Sequence, residues 1–149
     1  MGDSYSVLPL TADPGIPLWL EQHGIATPPI PATNRYPTLH ELRAVLAQLD
    51  GYTITYRIGP SGCDIDIVGT NADGADVYAC IWTREFSGDE DTPLAFSFHK
   101  GWQDLNLEIT RRLSMICGPL AFVSHSVGVP ILVRPDIDIH QALVEAGYR

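Results

Sequence analysis

The stretch Leu94–Gly118, LAFSFHKGWQDLNLEITRRLSMICG, determines how this chain folds. Leu94, Phe96 and Phe98 alternate with small or polar residues, which is the two-residue period of a strand with one buried face. After a Lys-Gly corner, apolar residues recur every three or four positions, as they do along one face of an amphipathic helix. The residues of this apolar stripe are Leu105, Ile109, Leu113 and Ile116. The stretch therefore predicts a strand, a tight corner and a helix that ends at Gly118.

A second helix is predicted to begin at Thr38, because Thr38 and Glu41 have the spacing of a capping box. Further segments with the composition and alternation of strands surround the two helices. They are Tyr52–Ile58, Cys63–Ile67, Ala75–Thr83, Leu120–Ser124 and Val129–Val133. The short turns between most of them indicate antiparallel neighbours. We therefore predict an α+β fold, with a mainly antiparallel sheet of four to six strands and two main helices on one face.

Residues 1–37 differ from the rest of the chain. They contain seven prolines and little periodicity, yet they also contain Trp19 and several aliphatic residues that disordered tails lack. We predict a Pro-rich N-terminal arm over residues 1–37, packed on the domain or on a partner, and a single α+β domain over residues 38–149. Because the strand at 75–83 is apolar on both faces, its second face needs a cover, and the arm is the candidate.

The charge of the chain limits its possible partners. Among 149 residues, nine Lys and Arg stand against eighteen Asp and Glu, for a formal net charge of −9. Nucleic-acid binding depends on basic side chains that neutralise phosphates, so we expect neither nucleic acid nor an anionic membrane as partner. A basic protein partner fits this charge. The N-terminus shows no signal-peptide pattern and no apolar run is long enough to span a membrane, so we expect a cytoplasmic protein.

No local motif indicates a cofactor, a metal or a catalytic centre. The three cysteines, Cys63, Cys80 and Cys117, lack the spacing of a zinc site or a disulfide framework. The five histidines show no metal-ligand spacing, and the chain lacks a nucleophile elbow and a phosphate-binding glycine loop. Ser124 and His125 are adjacent on an extended segment, so they point to opposite faces. We therefore expect no cofactor, no metal and no enzymatic activity.

Two charged groups are the candidate partner-binding residues. The first is a loop with three consecutive acids, which we expect to be exposed. The second is a patch on two neighbouring strands, where two acids share one side of a strand and an arginine is their cross-strand partner. Paired carboxylates of this kind can also hold a divalent cation. The residues are Asp89, Glu90 and Asp91 for the loop, and Asp64, Asp66 and Arg57 for the patch.

Three functions remain open from the sequence. The first is a non-enzymatic acidic protein-binding domain, for example an immunity-type inhibitor of a basic bacterial toxin. The alternative is a structural or assembly subunit that forms homo-oligomers by exchanging the N-terminal arm. The third is a metal-dependent enzyme with its metal at Asp64 and Asp66.

Overall fold

A computed structural model describes residues 3–60, 62–84 and 86–148, and this part of the chain forms seven strands and four helices. In chain order they are β1 (Ser4–Pro9), α1 (Ile16–Gln22), α2 (Leu39–Leu46), β2 (Tyr52–Gly59), β3 (Gly62–Thr70), β4 (Asp76–Arg84), β5 (Phe96–Gly101), α3 (Gln103–Cys117), β6 (Leu120–Ser124), β7 (Pro130–Val133) and α4 (Ile139–Glu145). The protein is α+β, as predicted, but it has more strands and helices than the sequence indicated.

All seven strands belong to one antiparallel sheet in the order β2-β3-β4-β5-β1-β6-β7. The strand that the sequence does not predict is β1, which lies within the predicted N-terminal arm. It pairs with β5 from Ser4 to Ser6 and with β6 from Tyr5 to Pro9. Residues 4–9 of the predicted arm therefore form an interior strand of this sheet.

Helices α2, α3 and α4 cover one face of the sheet and enclose the main hydrophobic core. Aromatic rings from three strands meet at the centre of this core. The Tyr5 and Phe122 rings stack with centroids 5.1 Å apart, and Phe98 lies 6.3 Å from Phe122. Because these rings come from β1, β6 and β5, the core joins the two halves of the sheet.

Helix α1 packs on the opposite face of the sheet. Its buried Ile16 and Leu20 form a second cluster with Leu10 and Ala121. Ala121 alternates along β6 with the core residue Phe122, so the two clusters lie on opposite sides of the sheet. This second cluster draws on β1, β6 and β7 and leaves the outer face of β2–β5 open, so α1 does not cover the second face of the strand at 75–83.

The predicted corner forms the end of β5, and the predicted helix follows it as α3. Lys100 and Gly101 have φ angles of 67° and 116°, and a Cβ on Gly101 would lie 2.9 Å from the backbone of Ala79, so only glycine fits there. Helix α3 buries the stripe predicted for it except at its end. Ile116 is 38% exposed and Cys117 is buried in its place, because a step of four from Leu113 continues the stripe to Cys117.

The capping box predicted at the start of α2 is present. The Thr38 hydroxyl accepts from the amide of Glu41 at 3.1 Å, and the Glu41 carboxylate accepts from the amide of Thr38 at 2.9 Å. Arg35 also donates two hydrogen bonds to Glu41, at 2.7 and 2.8 Å. The Arg35 guanidinium, aided by the amide of Thr38, lowers the pKa of Glu41 from 4.5 to about 2.

The Glu41 carboxylate makes the stability of the fold depend on pH. Because the pKa of Glu41 is lower in the folded protein than the ordinary 4.5, its contribution is complete above pH 4.5 and disappears as the pH falls towards 2. We expect Glu41→Gln to lower the free energy of unfolding by about 1–2 kcal/mol at neutral pH. In urea unfolding, this difference between wild type and variant should shrink steadily below pH 4.5. The exposed Glu21→Gln is the control, and a pH-independent difference for Glu41→Gln would contradict the assignment.

The interior position of β1 predicts a large effect at Tyr5. This side chain is 2% exposed and stacks on Phe122, so Tyr5→Ala should cost about 3–5 kcal/mol through lost burial and a cavity. Leu18→Ala on α1 removes a side chain that is 60% exposed and should cost less than about 0.5 kcal/mol. Chemical denaturation of both variants measures this. Equal, small effects would mean that residues 4–9 are not part of the core.

Candidate functional site

The uncovered part of the sheet is the candidate site, and we call it the open face. It consists of the side chains of β2–β5 and the start of β1 that point away from the main core, together with His125 just after β6. Its residues are Thr53, Thr55, Arg57, Asp64, Asp66, Val68, Tyr78, Cys80, Trp82, Ser97, His99, Ser4, Ser6 and His125, all exposed or half-buried.

Trp82 lies at the middle of the open face. It is paired across the sheet with Asp64 on β3 and with Ser97 on β5. The His99 ring stacks on its indole, with centroids 3.7 Å apart and the planes 15° from parallel. A planar, half-buried aromatic group on an uncovered sheet is the type of side chain that dominates binding energy at protein interfaces.

Two clefts meet at Trp82. One has a volume of about 410 Å³, and Arg57 and Asp64 line it together with Trp82. The other has a volume of about 270 Å³, and Ser6 and His125 are among the residues that line it on the far side of the indole. Trp82 is therefore accessible from two directions, beside charged groups on one side and beside a lining of polar and apolar residues on the other.

The predicted patch of Asp64, Asp66 and Arg57 forms one side of the open face. The Arg57 guanidinium donates a short hydrogen bond to Asp66 and lies 3.9 Å from Asp64. One positive charge is thus shared between two carboxylates, and the patch keeps a net negative charge. In the part of the chain that the structure describes, no group of three or more His, Cys, Asp and Glu side chains is arranged to hold a metal ion.

A serine and a histidine that are distant in sequence meet on the other side of Trp82. The Ser6 hydroxyl lies 2.7 Å from Nε2 of His125, and the Ser4 hydroxyl lies 3.5 Å from Nδ1 of His99. Serine catalysis also needs a group that orients the histidine. Among the described residues, no ion pair joins a carboxylate to His125, and Asp3 accepts hydrogen bonds from Ser124 and Ser126 instead.

The acidic loop lies on the other side of the sheet, where it packs against α2. Glu90 pairs with Arg43 at 2.8 Å, and Asp91 lies 3.7 Å from His40. Asp89 accepts from the amide of Asp91 and from Thr92, and these bonds lower the pKa of its carboxyl group. The structure therefore does not bring the loop together with Asp64 and Asp66, and the two predicted charged groups are separate surfaces.

Trp82 and Ser6, at the centre of the open face, are not among the site residues predicted from the sequence. The strand at 75–83 is apolar on both sides, and this is the signal that Trp82 points away from the core. No local pattern indicates that His99 stacks on Trp82 or that Ser6 reaches His125, because these contacts join residues 17 and 119 positions apart. Each depends on the strand order, which no local pattern encodes.

Comparisons of the chain with family models, curated proteins and solved structures gave no match. Within the described residues, no helix has the length and apolar character needed to cross a membrane. Function therefore has to be inferred from the geometry and charge of the open face.

The pairing of Arg57 with both aspartates predicts how the patch responds to metal ions. Because the guanidinium already neutralises part of the carboxylate charge, we expect about 5 mM magnesium, calcium or manganese to leave the melting temperature unchanged. Differential scanning fluorimetry measures this. A stabilisation by any of the three ions that disappears in Asp64→Asn would instead support a metal site at this patch.

Proposed function

We propose that this protein is a non-enzymatic binding domain that docks a basic protein partner on its open face. An immunity-type inhibitor of a basic toxin is a concrete form of such a protein. The observation that carries the proposal is the position of Trp82, which lies between two clefts on an uncovered sheet, directly beside the carboxylate of Asp64.

The distribution of charge supports a basic partner. Within the described residues, six arginines form ion pairs with six carboxylates of the same chain. Because these pairs contain as many acids as arginines, they do not reduce the net charge of −9, which attracts positively charged surfaces. The arginines are Arg35, Arg43, Arg57, Arg111, Arg112 and Arg134.

The open face can recognise an arginine or lysine side chain in two ways at once. Asp64 and Asp66 share a single guanidinium, so they can accept hydrogen bonds from a second cation. The indole of Trp82 and the 42%-exposed ring of Tyr78 offer aromatic surface for cation–π contacts and for apolar burial. Flanking serines and histidines supply a polar rim, as interfaces between separate proteins usually have.

The acidic loop contributes to this proposal at long range. Because Asp89 and Asp91 lie on the helix side of the sheet, a partner on the open face does not contact them. Their charges still add to the negative field that speeds the encounter with a basic protein. Direct contact with the loop stays a separate prediction.

A basic peptide tests the open face directly. We expect an Arg-Gly repeat of about 12 residues to bind in low salt and to shift the indole N–H signal of Trp82 in NMR spectra, with affinity falling steeply as salt is raised to about 0.3 M. The double variant Asp64→Asn, Asp66→Asn should weaken binding at least about 10-fold, since it removes the carboxylates that pair with the peptide.

Asp136→Asn is the matched control, because Asp136 is an exposed acid with an arginine partner but lies outside the open face. It should leave binding nearly unchanged. Trp82→Ala should weaken binding without abolishing the salt dependence. Shifts that map to the helix side, or equal losses for Asp136→Asn and the double variant, would overturn the proposal.

A further inference from the structure

The two edges of the sheet are protected to different degrees. The β7 edge is short, begins with Pro130, and lies in a cleft between the end of α1 and helix α4. These are devices by which proteins prevent unwanted strand pairing. At the other edge, β2 is eight residues long, and its register with β3 is unbroken from Tyr52 to Gly59. In the described part of the chain, β3 is the one element in extensive contact with it.

The composition of β2 favours pairing. Its sequence YTITYRIG contains neither proline nor an acid, and aromatic or β-branched residues occupy six of its eight positions. As in any antiparallel edge strand, alternate residues direct their backbone N–H and C=O groups away from the sheet. Ile58 near its end is 56% exposed. Such an edge is a template for an additional strand.

The main core is also incomplete at this edge. Three side chains of β2 point to the helix side and pack against the core: Tyr52, Ile54 and Tyr56. Each stays half-buried because none of the described strands lies beyond β2. Tyr56 is partly covered by the Arg43 guanidinium, 4.2 Å from its ring centroid. An additional strand would extend this row of side chains and complete the burial of apolar surface.

The strand is complementary to itself. If two copies pair antiparallel about a two-fold axis at Thr55, residues on the same face lie opposite each other. Ile58 then faces Tyr52 of the second copy and Ile54 faces its Tyr56, which are favourable β-branched–aromatic pairs. On the open face, Arg57 lies opposite Thr53 of the second copy, so like charges do not meet.

We infer that β2 pairs with β2 of a second copy, which joins the two sheets edge to edge in a symmetric dimer. This inference is independent of the basic partner proposed above, because it depends on the edge of the sheet and not on Trp82 or the aspartates. In this dimer the two copies assemble through β2, whereas the N-terminal strand β1 pairs with β5 and β6 of its own chain. With one strand from each copy, the interface is small and the dimer should be weak.

The net charge of −9 per copy gives the dimer a characteristic salt dependence. Repulsion between two acidic copies is screened by salt, so dimerisation should strengthen as ionic strength rises. Binding of a basic partner has the opposite dependence. The two interactions can therefore be separated in one set of measurements.

Analytical ultracentrifugation of the full chain tests the inference. At concentrations from about 5 to 500 µM and at salt from about 0.05 to 0.5 M, we expect the 16.3 kDa monomer to convert to a species of twice that mass, most completely at high salt. A protein that stays monomeric at the highest concentration and salt would overturn the inference.

Two matched variants locate the interface. Ile58→Lys places a charge on the edge and should raise the dimer dissociation constant at least about 10-fold. Val68→Lys makes a similar change at an equally exposed position, 56%, but on β3, and should leave the dimer intact. Hydrogen exchange should show alternate β2 amides becoming protected as concentration rises. Dimerisation that Ile58→Lys does not weaken, or protection that maps to another element, would show that β2 is not the interface.

Discussion

The insertion of β1 between β5 and β6 is the constraint on which the rest of the structure depends. Without this strand, β2–β5 and β6–β7 would be two separate sheets with four edges in place of two. With it, Tyr5 stacks on Phe122, which also contacts Phe98, and one core extends beneath all seven strands. The helices on that face then have a single surface to cover.

The position of β1 also determines which parts of the sheet remain uncovered. Because the chain continues directly from β1 into α1, this helix can reach only the neighbouring strands, and it packs near Ala121 on β6. Among the described residues, no second helix packs on that side, so the outer face of β2–β5 stays open. The open face is thus a consequence of one short connection.

The local structure could be predicted from the sequence because its determinants are local. The alternation before Lys100, the Gly101 corner and the Thr38–Glu41 box each involve neighbours in the chain. β1 could not be predicted in the same way. It has only six residues, polar at Ser4 and Ser6 and ending in proline, and its partners are nearly a hundred residues away or more. The meeting of Trp82, His99 and Ser6 could not be predicted for the same reason, because Ser6 joins the other two only once β1 is paired in the sheet.

Charge and edge protection are connected in this molecule. Proteins usually protect an exposed edge strand locally, with a lysine, a proline or a bulge. In β2 the one charged residue, Arg57, points to the open face and is paired with acids of β3, so it does not protect the edge. The large negative charge of the whole chain can serve instead, because repulsion between copies opposes disordered association at every orientation. Such protection is selective: a two-fold arrangement with backbone hydrogen bonds can overcome it, whereas non-specific contacts cannot.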